Sequence, residues 1–276
     1  MSDFSSLPPL RDIIARHNLR AEKKLGQNFI LDRNITDKIA RAAGDLSDTT
    51  VFEIGPGPGG LTRSLLAAGA KKVIAVEFDP RAVAALAELS SAANGRLQVM
   101  QADALAVDLV SLAPGEKRAI IANLPYNIAT PLLLRWLGQL RQDAGAFSFM
   151  LLMFQKEVAT RLCAVHGGKE FGRLSVMAQW LCNVRRAFDL PPSVFVPPPK
   201  VTSSVVHFTP RLLPANAPSL EAVEKITAAA FGQRRKMIRS SLKDYKAIVD
   251  ELGIDETLRA EQMPVENFIK IAEKTA

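Results

Sequence analysis

Short apolar runs alternate with helix-like segments from about residue 50 onward, and this alternation constrains the fold more than any other feature of the sequence. Five of the runs are short and continuous, which is typical of strands buried on both faces of a sheet. They span residues 51–55, 72–79, 97–103, 119–125 and 147–154. The segments between them carry apolar residues three and four positions apart, which predicts amphipathic helices. Because strand–helix alternation implies parallel strands with right-handed crossovers, we predict a doubly wound α/β sheet.

The remainder of the chain divides into recognisable parts. Two further apolar runs, at residues 173–184 and 202–210, are predicted to complete the sheet, the second as a hairpin partner. The proline-rich stretch at residues 190–201 is predicted to be a stiff extended loop, because proline cannot donate a backbone hydrogen bond. After residue 210 the pattern is helical only. The predicted parts are an N-terminal helical arm (1–45), a Rossmann-like domain (46–210) and a small all-helical C-terminal domain (211–276).

Positive charge is concentrated in two segments. The chain has 35 Lys and Arg residues against 28 Asp and Glu, a formal net charge of +7, which is compatible with a polyanionic partner. Residues 230–243 contain five cations and no acid, and residues 16–24 are also basic. If residues 230–243 form a helix, Arg235, Arg239 and Lys243 share one face; the alternative is an ordinary solvated surface. The cations singled out are Arg234, Arg235, Lys236, Arg239, Lys243, Lys23 and Lys24, with Arg161, Lys169 and Arg173 as further candidates.

Several classes of protein are disfavoured. No apolar stretch approaches the roughly 18 residues of a membrane-spanning helix, and the N-terminus lacks the pattern of a signal peptide. The two cysteines and three histidines are scattered without metal-ligand spacing, so we expect reduced thiols and no metal. These features predict a cytoplasmic protein.

The loop after the first strand, EIGPGPGGLT at residues 53–62, carries a glycine pattern that predicts a ligand site. Glycines at 55, 57 and 60 match the dinucleotide fingerprint, in which glycine permits a tight turn and close approach of the ligand. Glu77 stands 22 residues after Gly55, where an acidic partner for ribose hydroxyls is expected. A nucleoside-containing cofactor is therefore predicted; the alternative is a glycine turn that merely reverses the chain.

Acidic residues at the strand ends distinguish between possible cofactors. Glu53 precedes the loop and directs a negative charge to the place where an NAD site would hold a pyrophosphate. Asp103, at the end of the third strand, is placed to accept a hydrogen bond from an adenine amino group. Acids at three successive strand ends favour S-adenosylmethionine, whose amino group is positively charged. A dehydrogenase, the alternative enzyme class, would need an acid or base for hydride transfer, and no convincing candidate is found.

The tetrapeptide NLPY, residues 123–126, follows the fourth strand and should border the reactive methyl group. The exocyclic amine of a base is a weak nucleophile because its lone pair is conjugated with the ring. The Asn123 side-chain oxygen and the Leu124 carbonyl are two acceptors that would draw this amine towards tetrahedral geometry. Pro125 stiffens the turn, and Tyr126 offers a face on which a flipped base can stack. The alternative is a capping asparagine with a turn proline and a surface tyrosine.

Motifs distributed from about residue 20 to the end of the chain resemble those of the small-subunit rRNA adenine dimethyltransferase family. They are GQNFILD (26–32), EIGPGPGGLT (53–62), VEFDP (76–80), QAD (101–103), NLPYNIATPLL (123–133), FQKEVATRL (154–162), FGRLSVMAQW (171–180), PPSVFVPPPKVTSSVV (191–206) and FGQRRKMIRSSL (231–242). The resemblance implies a Rossmann-like class I methyltransferase that transfers four methyls from S-adenosylmethionine to two adjacent adenosines. These lie in the 3′-terminal hairpin of small-subunit rRNA. It also implies cytoplasmic action late in small-subunit assembly, on the pre-30S particle, and we expect a monomer.

The resemblance also assigns roles to residues. It implies that Asn28, Ile30, Gly55, Gly57, Glu53, Glu77, Asp103 and Asn123 bind the cofactor. Residues 123–126 would line the target adenosine, with Phe195 stacking on its other face, and the basic segments would contact RNA. Ile30 stands where the family pattern leads us to expect leucine. Three alternatives stay open: a large-subunit rRNA methyltransferase, a DNA amino-methyltransferase, and an assembly factor whose RNA binding outweighs catalysis.

Overall fold

The computed structural model describes residue 4, residues 7–19 and residues 26–275. The described strands are β1 (Phe29–Ile30), β2 (Thr49–Ile54), β3 (Lys72–Glu77), β4 (Leu97–Gln101), β5 (Lys117–Ala122), β6 (Phe149–Gln155), β7 (Cys182–Leu190), β8 (Phe195–Val196) and β9 (Ser203–Pro210). The described α-helices are α1 (Leu10–Arg16), α2 (Arg33–Ala42), α3 (Gly60–Ala67), α4 (Pro80–Ala85), α5 (Ala87–Ala92), α6 (Tyr126–Gln142), α7 (Lys156–Leu162), α8 (Arg173–Leu181), α9 (Leu220–Gly232), α10 (Ile238–Ser241), α11 (Lys246–Glu251) and α12 (Val265–Glu273). No described helix combines the length and hydropathy that crossing a bilayer requires.

The main sheet has seven strands in the order β4-β3-β2-β5-β6-β9-β7, and this confirms the predicted doubly wound α/β fold. The pairs β2–β3, β3–β4, β2–β5 and β5–β6 are all parallel. The chain runs outward from β2 to β4 on one side and then from β5 to β6 on the other. The order therefore reverses between β2 and β5, and such a switch point is where open α/β sheets bind ligands.

Local sequence explains the central strands and the helices beside them. All six residues of β2 are buried, and β3, β5 and β6 are buried except at their ends, as their continuous apolar runs require. Asp79 caps α4 by accepting a hydrogen bond from the Arg81 N–H, and Pro80 occupies the first turn, where no backbone donor is needed. Asp32 and Ser219 cap α2 and α9 in the same way.

A separate two-stranded sheet joins β1 to β8. The strands are antiparallel, with Phe29 opposite Val196 and Ile30 opposite Phe195. The proline-rich stretch thus contains no α-helix and no central strand, but it is not an extended loop throughout: Pro192–Val194 form a 3-10 helix and Phe195–Val196 form β8. This pairing holds the segment before α2 against a segment more than 160 residues later in the chain.

One predicted strand is wrong. Residues 173–184 were expected in the sheet, but Arg173–Leu181 form α8, and the strand β7 begins only at Cys182. Most side chains of α8 are buried, including Val176, Met177 and Trp180. A helix buried on nearly every side carries the same continuous apolar run as a buried strand, so apolar content alone does not separate them. The run at 202–210 does form a sheet strand, β9, and it neighbours β7.

The chain divides into two compact units that are discontinuous in sequence. Unit 1 comprises residues 1–135, 146–156 and 186–207, and unit 2 comprises residues 136–145, 157–185 and 208–276. Among the described residues after β9, regular structure is helical apart from a single bridge between Met237 and Arg259, which agrees with the predicted pattern. Domain boundaries at residues 45 and 210 remain a proposal about folding units, which limited proteolysis can test.

Candidate cofactor and substrate site

A cavity in unit 1 lies at the carboxyl ends of β2 to β5, at the point where the strand order reverses. Its walls come from the segment before β1, from the glycine loop and from the residues that follow β3, β4 and β5. The predicted cofactor residues in the wall are Asn28, Ile30, Glu53, Gly55, Gly57, Glu77, Asp103 and Asn123. The structure therefore brings every one of these residues to one cavity.

The glycine loop packs too closely against its surroundings for side chains at two positions. Gly57 has φ +54°, and a Cβ there would lie 2.6 Å from the ring of Phe29. A Cβ on Gly60 would lie 2.6 Å from the Ile30 carbonyl oxygen. The loop thus rests directly on the β1 segment, which leaves its backbone as the surface that a ligand meets.

Glu53 is a buried carboxyl group in the cavity wall. It is 2% exposed, and its Oε2 has no hydrogen-bond partner among the described residues. Burial, together with the nearby Glu77, raises the pKa of Glu53 to about 8. Near neutral pH the carboxyl is therefore mostly protonated, and a cationic group that binds beside it favours the negative charge expected from the sequence. An unpaired buried acceptor facing the cavity fits the ammonium group of S-adenosylmethionine.

Glu77 and Asp103 occupy the neighbouring strand ends. The Oε2 of Glu77 accepts a hydrogen bond from the Gly57 N–H at 3.1 Å, and its Oε1 accepts one from the Asp79 N–H at 2.9 Å. Burial raises the pKa of Glu77. Each carboxylate oxygen has a further lone pair, so these bonds leave acceptors for ribose hydroxyls. Asp103 is exposed at the cavity rim, and its Oδ1 accepts a hydrogen bond from the Leu105 N–H.

Asn123 and Asn28 are joined across the cavity wall. The Asn123 Nδ2 donates a hydrogen bond to the Asn28 carbonyl oxygen at 2.8 Å. This bond fixes the amide plane and makes Oδ1 the atom that remains to accept from a ligand. Pro125 faces the glycine loop, since a Cβ on Gly55 would lie 3.4 Å from its Cδ. Leu124 lines the cavity while its side chain is buried.

The two aromatic residues of the predicted substrate site are placed differently from the cofactor residues. Tyr126 begins α6 and is half-buried, and its hydroxyl lies 2.6 Å from the Ser203 Oγ. Phe195 is only 2% exposed and packs in the hydrophobic core from β8. In this position Phe195 offers no open ring face, so its burial does not support the predicted stacking role. That role stays a prediction, and it requires β8 to move.

The basic segment at residues 230–243 does not form one helix, so the predicted alignment of cations at four-residue spacing is wrong. Helix α9 ends at Gly232, a turn follows, and α10 begins only at Ile238. The side chain of Arg234 is engaged, because its Nη2 donates to the carbonyl oxygens of Lys169 and Phe171. The other exposed cations of this segment, Arg235, Lys236, Arg239 and Lys243, have no carboxylate in ion-pair range among the described residues.

The other predicted basic residues differ in their surroundings. Lys23 and Lys24 lie outside the described residues. Arg161 is paired with Glu157 at 2.5 Å. Lys169 is 91% exposed and lies 3.8 Å from Glu170, and Arg173 is exposed. The Arg234 bonds place the loop that carries Lys169 beside the turn that carries Arg235, and both lie in unit 2.

Several residues of the site were missed from the sequence. Phe78 and Leu105 line the cavity and are exposed apolar side chains. Phe78 follows Glu77 by one residue and Leu105 follows Asp103 by two, and this proximity to predicted site residues could have indicated that both line the cavity. Ser203 had no such signal, because its contact with Tyr126 joins residues 77 positions apart. Among the described residues, no group of three or more His, Cys, Asp or Glu side chains is placed to hold a metal ion.

Comparison with known sequences gives consistent matches over nearly the whole chain. A family model described as ribosomal RNA adenine dimethylase matches residues 18–276. A ribosomal RNA small subunit methyltransferase A from Xanthobacter autotrophicus is 55% identical over 276 residues, covering 99% of this chain and 95% of the relative. A protein of the same name from Allorhizobium ampelinum is 54% identical, covering 99% of both chains.

Comparison with solved structures gives the same fold. A dimethyladenosine transferase from Plasmodium falciparum has a TM-score of 0.74 at 27% identity, covering 87% of this chain and 94% of its own. The 23S rRNA methyltransferase ErmE has a TM-score of 0.68, also at 27% identity, covering 90% of this chain and 99% of its own.

Proposed function

The chain belongs to the ribosomal RNA adenine dimethylase family, and on that premise we propose a specific reaction for it. It transfers methyl groups from S-adenosylmethionine to the exocyclic amino groups of two adjacent adenosines in the 3′-terminal hairpin of small-subunit rRNA. The observation that carries the proposal is the orientation of Asn123 at the cavity, where the bond from its Nδ2 to Asn28 leaves Oδ1 to accept from an amine.

We propose partners in the cavity wall for three groups of the cofactor. S-adenosylmethionine supplies, when bound, an electrophilic methyl group on a sulfonium. Glu53 would pair with its ammonium group, Glu77 would accept from the ribose hydroxyls, and Asp103 would accept from the adenine amino group. The remaining residues proposed to hold it are Asn28, Ile30, Gly55, Gly57 and Asn123.

The residues of the NLPY segment would act on the target base. The Asn123 Oδ1 and the Leu124 carbonyl oxygen accept the two hydrogens of the adenine amine, which makes its lone pair available for attack. Tyr126 supplies a ring face for the flipped base, and such stacking contributes roughly 1–3 kcal/mol per base. The rest of the rate comes from holding the amine in line with the methyl carbon.

The exposed cations of unit 2 would bind rRNA through its phosphates. Phosphate contacts orient an RNA without reading its sequence, and they need unpaired cations on an accessible surface. Arg235, Lys236, Arg239 and Lys243 meet this requirement better than Arg234, whose guanidinium holds the neighbouring loop, and better than Lys169, which lies 3.8 Å from Glu170.

Sequence similarity favours the small subunit over the large subunit as substrate. The relatives that are 54–55% identical over nearly the full chain are named for the small subunit, whereas the structure named for 23S rRNA is 27% identical. Because small subunits mature in the cytoplasm of bacteria, we propose that the protein acts there as a monomer, on the pre-30S particle.

Methyl transfer to small ribosomal subunits tests this proposal directly. Subunits that lack the modification are incubated with the protein and radiolabelled S-adenosylmethionine, and the labelled nucleotides are then mapped. We expect label on two adjacent adenosines of the 3′-terminal hairpin. Label in 23S rRNA alone, or no label in any RNA, would contradict the proposal.

An Asn123→Ala variant separates catalysis from a role in assembly. Loss of a positioned hydrogen-bonding group typically costs about 100-fold or more in rate, so methylation should fall by at least that factor. An assembly factor that works only by binding would keep its effect on subunit maturation in this variant, which can be followed by sucrose-gradient profiles of ribosomes.

A further inference from the structure

The hydroxyl of Tyr126 is anchored by a residue from a distant part of the chain. The Tyr126 oxygen lies 2.6 Å from the Oγ of Ser203, and the two residues are 77 positions apart. Tyr126 is the first residue of α6, and Ser203 is the first residue of β9. Burial raises the pKa of Tyr126, so both groups are uncharged hydroxyls that share one hydrogen bond at neutral pH.

Ser203 presents its hydroxyl to Tyr126 from a strand of the sheet. It is fully buried as the first residue of β9, and the adjacent Ser204 donates a hydrogen bond to the Asp189 Oδ1 at 2.7 Å. Successive residues of a strand face opposite sides of the sheet, so the Ser204 bond and the Tyr126 bond lie on opposite faces of β9. Asp189 also forms an ion pair with Lys156 at 2.8 Å. The two serines therefore belong to separate sets of side-chain contacts.

We propose that Ser203 is a positioning residue for methyl transfer, which sets the ring plane of Tyr126 for stacking on the target adenine. This inference rests on the function proposed above, and it assigns a role to Ser203 alone. A tyrosine ring turns about two side-chain bonds, and its oxygen lies on the axis of the second. A hydrogen bond at that oxygen fixes the direction of the ring axis through the first bond. It restrains the ring plane as well, because a phenolic hydroxyl makes its hydrogen bonds close to the plane of the ring. Without that bond the ring keeps its apolar contacts but loses its fixed plane, so the base and its amine are held less accurately.

A purely structural role for this hydrogen bond makes a different prediction. Loss of a buried hydrogen bond in general lowers stability, and it would disturb cofactor binding and methyl transfer together. Tyr126 is not part of the wall of the cofactor cavity, although residues on both sides of it are. If Ser203 acts through Tyr126, its removal should slow methyl transfer while leaving affinity for the cofactor unchanged.

A double-mutant cycle tests the coupling. Ser203→Ala, Tyr126→Phe and the double variant are compared by single-turnover methyl transfer to unmodified small subunits and by equilibrium binding of S-adenosylmethionine. Ser204→Ala is the matched control, because it removes an equally buried serine hydroxyl from the neighbouring position, where the partner is Asp189 rather than Tyr126.

We expect each single variant to transfer methyls about tenfold more slowly than the wild type, with cofactor affinity within about twofold. The double variant should be no slower than Tyr126→Phe, whereas the effect of Ser204→Ala should multiply with that of Tyr126→Phe. Full rate in Tyr126→Phe, or rate losses that multiply for Ser203→Ala and Tyr126→Phe, would overturn the inference. Tyr126→Phe keeps the aromatic ring and removes only the hydroxyl, so its rate of methyl transfer tests the inference even if Ser203→Ala does not fold. An inactive wild-type protein would instead count against the proposed function.

Discussion

At the scale of single residues, Glu53 couples protonation to ligand binding. Its carboxyl is buried, unpaired at Oε2 among the described residues, and has a pKa raised to about 8 by burial. Near neutral pH the free protein therefore carries a mostly protonated Glu53. A cationic ligand stabilises the carboxylate, so binding below pH 8 should release a proton from this side chain.

The affinity for S-adenosylmethionine should accordingly rise with pH up to about 8, and it should fall at higher pH, where the amino group of the ligand loses its own proton. The increase should approach about tenfold per pH unit where Glu53 is fully protonated before binding. Titration calorimetry at several pH values in buffers of different ionisation enthalpy measures both the affinity and the released proton. Glu53→Gln should bind more weakly and lose this pH dependence; a variant that keeps the wild-type pH profile would exclude Glu53 as the titrating group.

Residue identities in the cofactor site were predictable because strand ends and glycine spacing mark them in sequence. Glu53 and Glu77 lie at the carboxyl ends of β2 and β3, and Asp103 follows β4; parallel strands bring these ends to one edge of the sheet. The bonds from Asn123 to Asn28 and from Tyr126 to Ser203 were not predictable, since each joins residues far apart with no local pattern.

At the scale of elements, the glycine loop depends on the short β1–β8 sheet that supports it. Phe29 of β1 is buried and occupies the space that a side chain at position 57 would need. Alternation of apolar runs predicted the central strands well. Sequence patterns gave the wrong element in two places. Helix α8, which is buried on nearly all sides, was predicted as a strand, and residues 230–243 were predicted as one helix although a turn interrupts them.

Gly57→Ala should therefore destabilise the protein and weaken cofactor binding. The positive φ alone costs about 1–2 kcal/mol, and the overlap with the Phe29 ring adds to it. Gly115→Ala is the matched control, because Gly115 has φ +71° with no atom within 4 Å of an added Cβ. Chemical denaturation and cofactor titration of both variants separate the two contributions. Equal losses in the two variants would mean that the contact with Phe29 is unimportant.

At the scale of the whole molecule, the cations expected to bind RNA are those that form no ion pair with a neighbouring carboxylate. Arg235 and Arg239 have no carboxylate in ion-pair range among the described residues of the chain. By contrast, Lys246 lies 2.9 Å from Glu256, and Lys274 lies 2.7 Å from Glu251. Unpaired cations bind phosphates and release counterions from RNA, whereas paired ones contribute less.

The double variant Arg235→Ala, Arg239→Ala should bind small subunits more weakly and with a shallower salt dependence. The slope of log affinity against log salt should fall in magnitude by about 1 for each lost phosphate contact. The double variant Lys246→Ala, Lys274→Ala removes the same charge and should leave the slope nearly unchanged. Filter binding from low to physiological salt measures both; identical slopes for the two variants would remove these arginines from the RNA interface.

The pairing of β1 with β8 also sets an order of events during synthesis. Phe29 and Ile30 adjoin Asn28 in the cavity wall, and their partner strand ends at Val196. During translation the cavity-wall segment that contains β1 is synthesised first, and its partner strand β8 is complete only once residue 196 has been added. Nascent chains stalled before residue 196 should lack the β1–β8 pairing. The cofactor cavity is therefore expected to form late in synthesis, on a ribosome, the particle whose RNA the protein is proposed to modify.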